Sequence, residues 1–140
     1  MALAALWSYT AFATLGEPES SLSAESQLAH GSTKETDHGS YRVHEILLPS
    51  GTVVREYAAA DGHVFAVTWR GPFMPSLRQM LGRYFDEYAA AARAGHGDRR
   101  HQEVRQSDLV VQASGHMRAY GGRAYLPQAL PGGVSPGDLE

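Results

Sequence analysis

The chain has 140 residues, a formal net charge of −3 and 19% charged residues. That length suits one domain with a single core, and the balanced charge gives no global pull toward nucleic acid or anionic lipid. Cysteine is absent, which excludes disulfides, thiolate metal sites, covalent haem attachment and cysteine nucleophiles. Of the twelve basic residues all but Lys34 are arginine, a planar donor suited to carboxylates, phosphates and aromatic faces, although a GC-rich genome produces the same bias.

The first residues, MALAALWSYTAFATLGEPE, form an apolar run that ends in Ala11-Phe12-Ala13, with small residues where signal peptidase requires them. Residues 1–13 therefore read as a signal-peptide-like segment cleaved after Ala13, without the usual basic residue ahead of it. The run is too short for a permanent membrane span, so stable membrane insertion is not expected after cleavage, and a periplasmic or secreted location is. Residues 14–40 are rich in Ser, Glu, Gly and Thr and are expected to form a mobile N-terminal segment, with a short helix over about Ser21 to Ala29.

From Tyr41 the texture changes. YRVHEILL, TVVREYAA and HVFAVTW are short β-branched or aromatic runs between turn residues and predict a three-strand antiparallel meander. The turn Pro49-Ser50-Gly51 pairs Leu48 with Thr52, which sets Glu45 opposite Arg55 and His44 opposite Glu56 and avoids a Glu45–Glu56 clash. The second turn, Ala60-Asp61-Gly62, reads equally as a bulged three-residue loop or a two-residue Asp-Gly turn. In the bulged form Val43, Leu47, Val53, Tyr57, Phe65, Val67 and Trp69 share one face.

GPFMPSLRQMLGRYFDEYAAAARAG then switches period. Leu77, Met80, Leu81, Tyr84, Phe85, Tyr88 and Ala92 recur at helical steps, with Pro75 in the first turn and Gly95 as the stop. After a polar connection, DLVVQA and HMRAY predict two more strands joined at Ser114-Gly115, with RAYL beyond Gly121-Gly122. The domain is expected over residues 41–127 and an irregular Pro- and Gly-rich tail over 128–140. The fold class is α+β: an antiparallel sheet, made of a meander and a C-terminal hairpin, with one amphipathic helix on one face.

A bulge at the twin glycines would put His116, Arg118, Tyr120, Arg123 and Tyr125 on one outward face, beside Trp69 and Arg70. These seven residues are the candidate ligand-binding set, able to stack on sugars or hold an anionic group; the alternative is an ordinary outward strand face. None of the seven histidines falls in a metal-ligand spacing, and neither GxSxG nor SxxK occurs, so no metal, cofactor or catalytic residue is assigned. A metal or hydrolytic site could arise only by tertiary assembly, for which His44, Glu56 and His63 are the candidates.

The words REY, G-x-VF-x-V-x-W-x-GP, the LG-x-YF helix and the hairpin GHMRAYGGRAYLP resemble a bacterial family of exported proteins, the domain-of-unknown-function family 2844. The resemblance covers about residues 15–135 and implies export from a proteobacterial cytoplasm, with no activity or catalytic residue to carry over. The chain departs from the family at Ser76, where an acidic residue is more usual, which weakens the expected helix cap. The combined expectation is a non-catalytic periplasmic binding or assembly module for an envelope glycan or a protein partner; the alternative is a small periplasmic hydrolase or metal-dependent enzyme.

Overall fold

The computed structural model describes residues 14–18, 33–95 and 101–140. The expected signal segment 1–13 and the helix over Ser21–Ala29 lie outside them. The fold is α+β: the described residues form a seven-stranded antiparallel sheet, one main helical segment and two short 3-10 turns in the C-terminal region. The strands are β1 (Thr33–Asp37), β2 (Tyr41–Leu47), β3 (Val53–Ala59), β4 (Val64–Gly71), β5 (His101–Arg105), β6 (Val110–His116) and β7 (Ala119–Tyr125), in the order β1-β2-β3-β4-β7-β6-β5. No helix among the described residues is long and apolar enough to cross a membrane.

The β2–β3 register follows from its turn. Gly51 supplies the left-handed residue (φ 87°), the Leu48 amide donates to Thr52 O at 2.9 Å, and Glu45 faces Arg55 while His44 faces Glu56. The β3–β4 turn is the bulged form: Gly62 is left-handed (φ 83°) and the Ala59 amide donates to His63 O. A second irregularity follows, because Ala58 pairs with Val64 but Tyr57 pairs with Ala66, leaving Phe65 as an extra residue. One residue of slip moves every later side chain to the other side. Val43, Tyr57 and Phe65 therefore share one cluster, while Val67 and Trp69 belong to the opposite one. The seven-residue face expected from the sequence is divided between the two sides of the sheet.

The helical segment packs on the Val67–Trp69 side. It runs as α1 (Leu77–Leu81), a 3-10 turn over Gly82–Tyr84 and α2 (Phe85–Ala94). Ser76 is the N-cap, its hydroxyl accepting from the Gln79 amide, so Pro75 stands just before the helix rather than in its first turn. Gly95 ends it, donating its amide to Ala91 O. Met80, Leu81 and Tyr88 meet Val54, Val67, Trp69, Val104, Val111 and Ala124 in one buried cluster. At the break, Gly82 (φ 50°) leaves room for the N-terminal segment: a Cβ there would lie 2.0 Å from the Thr14 side chain.

Residues Thr14–Pro18 thread between that break and β4. Leu15 donates its amide to Met80 O, Gly16 donates to Val64 O, and the Leu15 side chain is 0% exposed in the helix-side core. The segment 14–40 thus contributes a core residue and the edge strand β1. Both β1 and β5, which lies in the expected polar connection, are edge strands with mostly exposed polar residues, TKETD and HQEVR. Charged side chains blunt a sheet edge against intermolecular pairing, and that same polarity hides such strands from a search for hydrophobic alternation.

The twin glycines are not a bulge. Gly122 pairs with both Trp69 and Ala113, and Gly121 with both Arg70 and Ser114, in unbroken register. A Cβ on Gly122 would lie 2.3 Å from the Trp69 ring, whereas one on Gly121 would meet nothing closer than 3.6 Å. Gly122→Ala is therefore expected to cost about 2 kcal/mol by overpacking. Gly121→Ala should change stability by less than about 1 kcal/mol. Urea midpoints of the two variants measure the difference, and equal midpoints would contradict the packing role of Gly122.

Candidate functional site

The face of the sheet away from the helix is organised in three rows, each crossing paired strands. The first row is apolar at its centre: Val43, Tyr57, Ala66, Tyr125 and Val110 stand side by side across β2, β3, β4, β7 and β6. The second is polar across the whole sheet: Lys34, Glu45, Arg55, Thr68, Arg123, Gln112 and Glu103. The third, Val53, Arg70, Gly121, Ser114 and His101, has a bare backbone at its centre.

The C-terminal segment covers the apolar row. Leu139 is buried with Tyr57, Phe65, Ala66, Val110 and Tyr125, and Leu130 and Val134 pack against the same cluster. The chain then reaches the polar row, where three donors meet the main-chain oxygen of Glu140: Arg55 Nη1 at 2.8 Å, the Tyr57 hydroxyl at 2.8 Å and the Thr68 hydroxyl at 3.0 Å. Arg55 is also held by Glu45 at 2.7 Å. Arg123 donates to Gln112 Oε1 at 2.7 Å and to the main-chain oxygen of Pro136.

What the segment leaves open is a trough of about 1060 Å³ over the second and third rows. Its floor is Gly121, its walls include Ser114, Gln112 and Thr68, and Leu139-Glu140 closes one side. Four arginines line it, Arg55, Arg70, Arg118 and Arg123, against Glu103 and Glu140. Glu103 is engaged by Arg105, whose hydrogen bond is the main reason that its carboxyl is held below the usual range. Arg70 is exposed and its guanidinium makes no hydrogen bond or ion pair with any described residue, and the same holds for the Arg118 side chain.

The seven residues singled out from the sequence are divided by this geometry. Trp69, Arg70, Arg118, Tyr120 and Arg123 border the trough; His116 and Tyr125 do not. They do not form one stripe. Because the strand runs straight through Gly121-Gly122, Tyr120 and Arg123 fall on opposite faces, and Tyr120 reaches only the rim. Trp69 is 2% exposed in the helix-side core and offers no ring for stacking. Tyr125 is buried in the apolar row, beneath the C-terminal segment. The hairpin turns at Met117-Arg118 rather than at Ser114-Gly115, which leaves His116 and Arg118 at its tip. Arg118 is the only described non-glycine residue with positive φ, 63°, a backbone that costs an L-residue about 1 kcal/mol or more.

Arg55, Thr68 and Gln112 were missed. The sequence marks Arg55 only as the partner of Glu45, and nothing in a single strand tells that residues far apart in the chain will line up in one row. His44, Glu56 and His63 do not assemble a site. His44 and Glu56 face each other on the helix side, where Glu56 is 0% exposed. His63 sits at the exposed β3–β4 turn, 3.6 Å from Asp61. None of the three lines the trough, and no group of three or more metal-ligating side chains comes together among the described residues.

Burial raises the Tyr57 phenol above its ordinary range, opposed in part by the bonds to Thr68 and Glu140 and by Arg55. A raised folded pKa contributes stability that is complete below the unfolded value, about 10, and is lost as pH rises through the folded value. Tyr57→Phe should cost about 1 kcal/mol at neutral pH, the net worth of its hydrogen bonds. Denaturant midpoints of this variant and the parent chain should converge above about pH 10. Tyr88, raised by burial alone, leaves a residual alkaline slope in both. A gap that persists unchanged to high pH would contradict the placement of the phenol.

Neither curated proteins nor solved structures provide a match to the chain. A family model described as "Protein of unknown function (DUF2844)" matches residues 11–139, nearly the whole chain. The protein belongs to the DUF2844 family.

Proposed function

We propose that the chain is an exported binding module that holds an acidic envelope glycan in the trough. The observation that carries this reading is the pair Arg70 and Arg118, two cations at a concave surface without an acceptor among the described residues. A carboxylate can accept two parallel N–H bonds from one guanidinium, which adds geometric specificity as well as energy, so carboxylates are the natural partners. The remaining lining suits sugar: Ser114 and Gln112 offer hydroxyl and amide groups, and the side-chain-free floor at Gly121 lets a ring lie against the backbone. Recognition in this reading is cationic and polar rather than by aromatic stacking, since the Trp69 ring is buried.

Export to the periplasm rests on the apolar leader and its Ala11-Phe12-Ala13 cleavage signal. Cleavage after Ala13 leaves Thr14 and Leu15 first, and both are anchored: the Thr14 hydroxyl donates to Gln79 O at 3.2 Å, and Leu15 fills the core. N-terminal sequencing of protein recovered from the periplasm is expected to begin at Thr14. Recovery of the uncleaved chain from the cytoplasm would contradict export.

Titration calorimetry with trigalacturonate and with a neutral trisaccharide tests the ligand. Trigalacturonate should bind and weaken with salt; the neutral sugar should not bind. Arg70→Ala should lower affinity about tenfold, the loss of one charge-assisted contact. Arg118→Gly is expected to weaken binding similarly while raising stability by about 0.5 kcal/mol, because glycine accepts the left-handed backbone. Equal binding of both sugars, or none of trigalacturonate, would refute the glycan reading, and selective binding of an acidic peptide would transfer the site to a protein partner.

A further inference from the structure

The C-terminal segment occupies one side of the trough in a manner unlike the rest of the fold. It adds no strand to the sheet. From Ser135 onward it is held by one buried apolar anchor, Leu139, by main-chain oxygens of Pro136 and Glu140 that accept from Arg123, Arg55, Tyr57 and Thr68, and by the Glu140 amide, which donates to the Tyr57 hydroxyl. Tyr57 and Thr68 are themselves 3% and 4% exposed, so the donor cradle is built into the sheet rather than improvised on its surface.

We infer that residues Ser135–Glu140 are a displaceable resident of the trough, which competes with carboxylate ligands for Arg55 and Arg123. This deepens the glycan reading and rests on it for the identity of the competitor. Two of the four trough arginines spend donors on main-chain oxygens, and the Pro136 oxygen is a neutral carbonyl that an ionised carboxylate would surpass as an acceptor. The segment also carries its own fold. The Asp138 carboxylate accepts from the Ser135 amide at 2.7 Å and from the Ser135 hydroxyl at 2.8 Å, closing a turn that begins with Pro136. A preformed turn loses little freedom on docking and can leave and return as a unit. Its connection to the fold allows that motion: Gly132 and Gly133 have open space around them, and Gly133 is left-handed (φ 83°).

Three chains test the inference: the parent, Leu139→Ser, and one ending at Val134. Acetyl-SPGDLE supplied as a free peptide is expected to bind the shortened chain saturably and the parent weakly or not at all. The same peptide with serine in place of leucine should fail on both. Trigalacturonate should bind the shortened and Leu139→Ser chains at least fivefold more tightly than the parent, and the free peptide should restore parental affinity to the shortened chain. A shortened chain that no longer folds, judged by circular dichroism, would show the segment to be fixed core and overturn the inference. A folded shortened chain that ignores the peptide would overturn it too, as would unchanged trigalacturonate affinity in both variants. Peptide binding with no trigalacturonate binding by any chain would refute the glycan reading alone and leave the segment a displaceable occupant.

Discussion

The contact between Trp69 and Gly122 holds the sheet together. Strands β1 to β4 are joined by successive neighbours in the chain, and so are β5 to β7; only the pairing of β4 with β7 makes one sheet of the two sets. It brings together residues about fifty positions apart, whose meeting is entropically costly and must be compensated by burial. At the middle of that pairing the Trp69 indole lies directly over Gly122, where no other residue leaves room. The cluster around it then receives the helix, and Leu15 is drawn in behind.

On the reverse of the same strand pair, the neighbouring Gly121 has the opposite effect. It leaves the floor of the trough without a side chain, flanked by Arg70 and Ser114. Two adjacent glycines thus serve two faces, one for close packing and the other for open space. Alternation of side chains in a strand makes this division unavoidable once the register is unbroken.

The trough is built almost wholly from strand residues, which are held more rigidly than loop residues and suit a preorganised binding surface. Its cations differ in their attachments. Arg55 and Arg123 are tied into the polar row and to the C-terminal segment, while Arg70 and Arg118 project without partners among the described residues. Arg118 additionally holds a left-handed backbone that glycine would adopt more easily.

Short-range chemistry was readable in advance. Gly51 and Gly62 announced their turns, the charges of Glu45 and Arg55 chose the β2–β3 register, and the apolar period from Leu77 to Ala92 located the helix that Gly95 ends. Each of these depends on residues within one hairpin or one helix turn, so neighbouring positions contain the information. The straight passage of β7 through its glycines, the close approach of Thr14 to Gly82 and the descent of Leu139 onto the aromatic row depend on distant partners. A glycine looks the same whether it bends a strand or admits an indole from another one. The arginine trough belongs to this second group: its members are scattered from Arg55 to Arg123, and only the assembly of β3, β4, β7 and β6 sets them on one side.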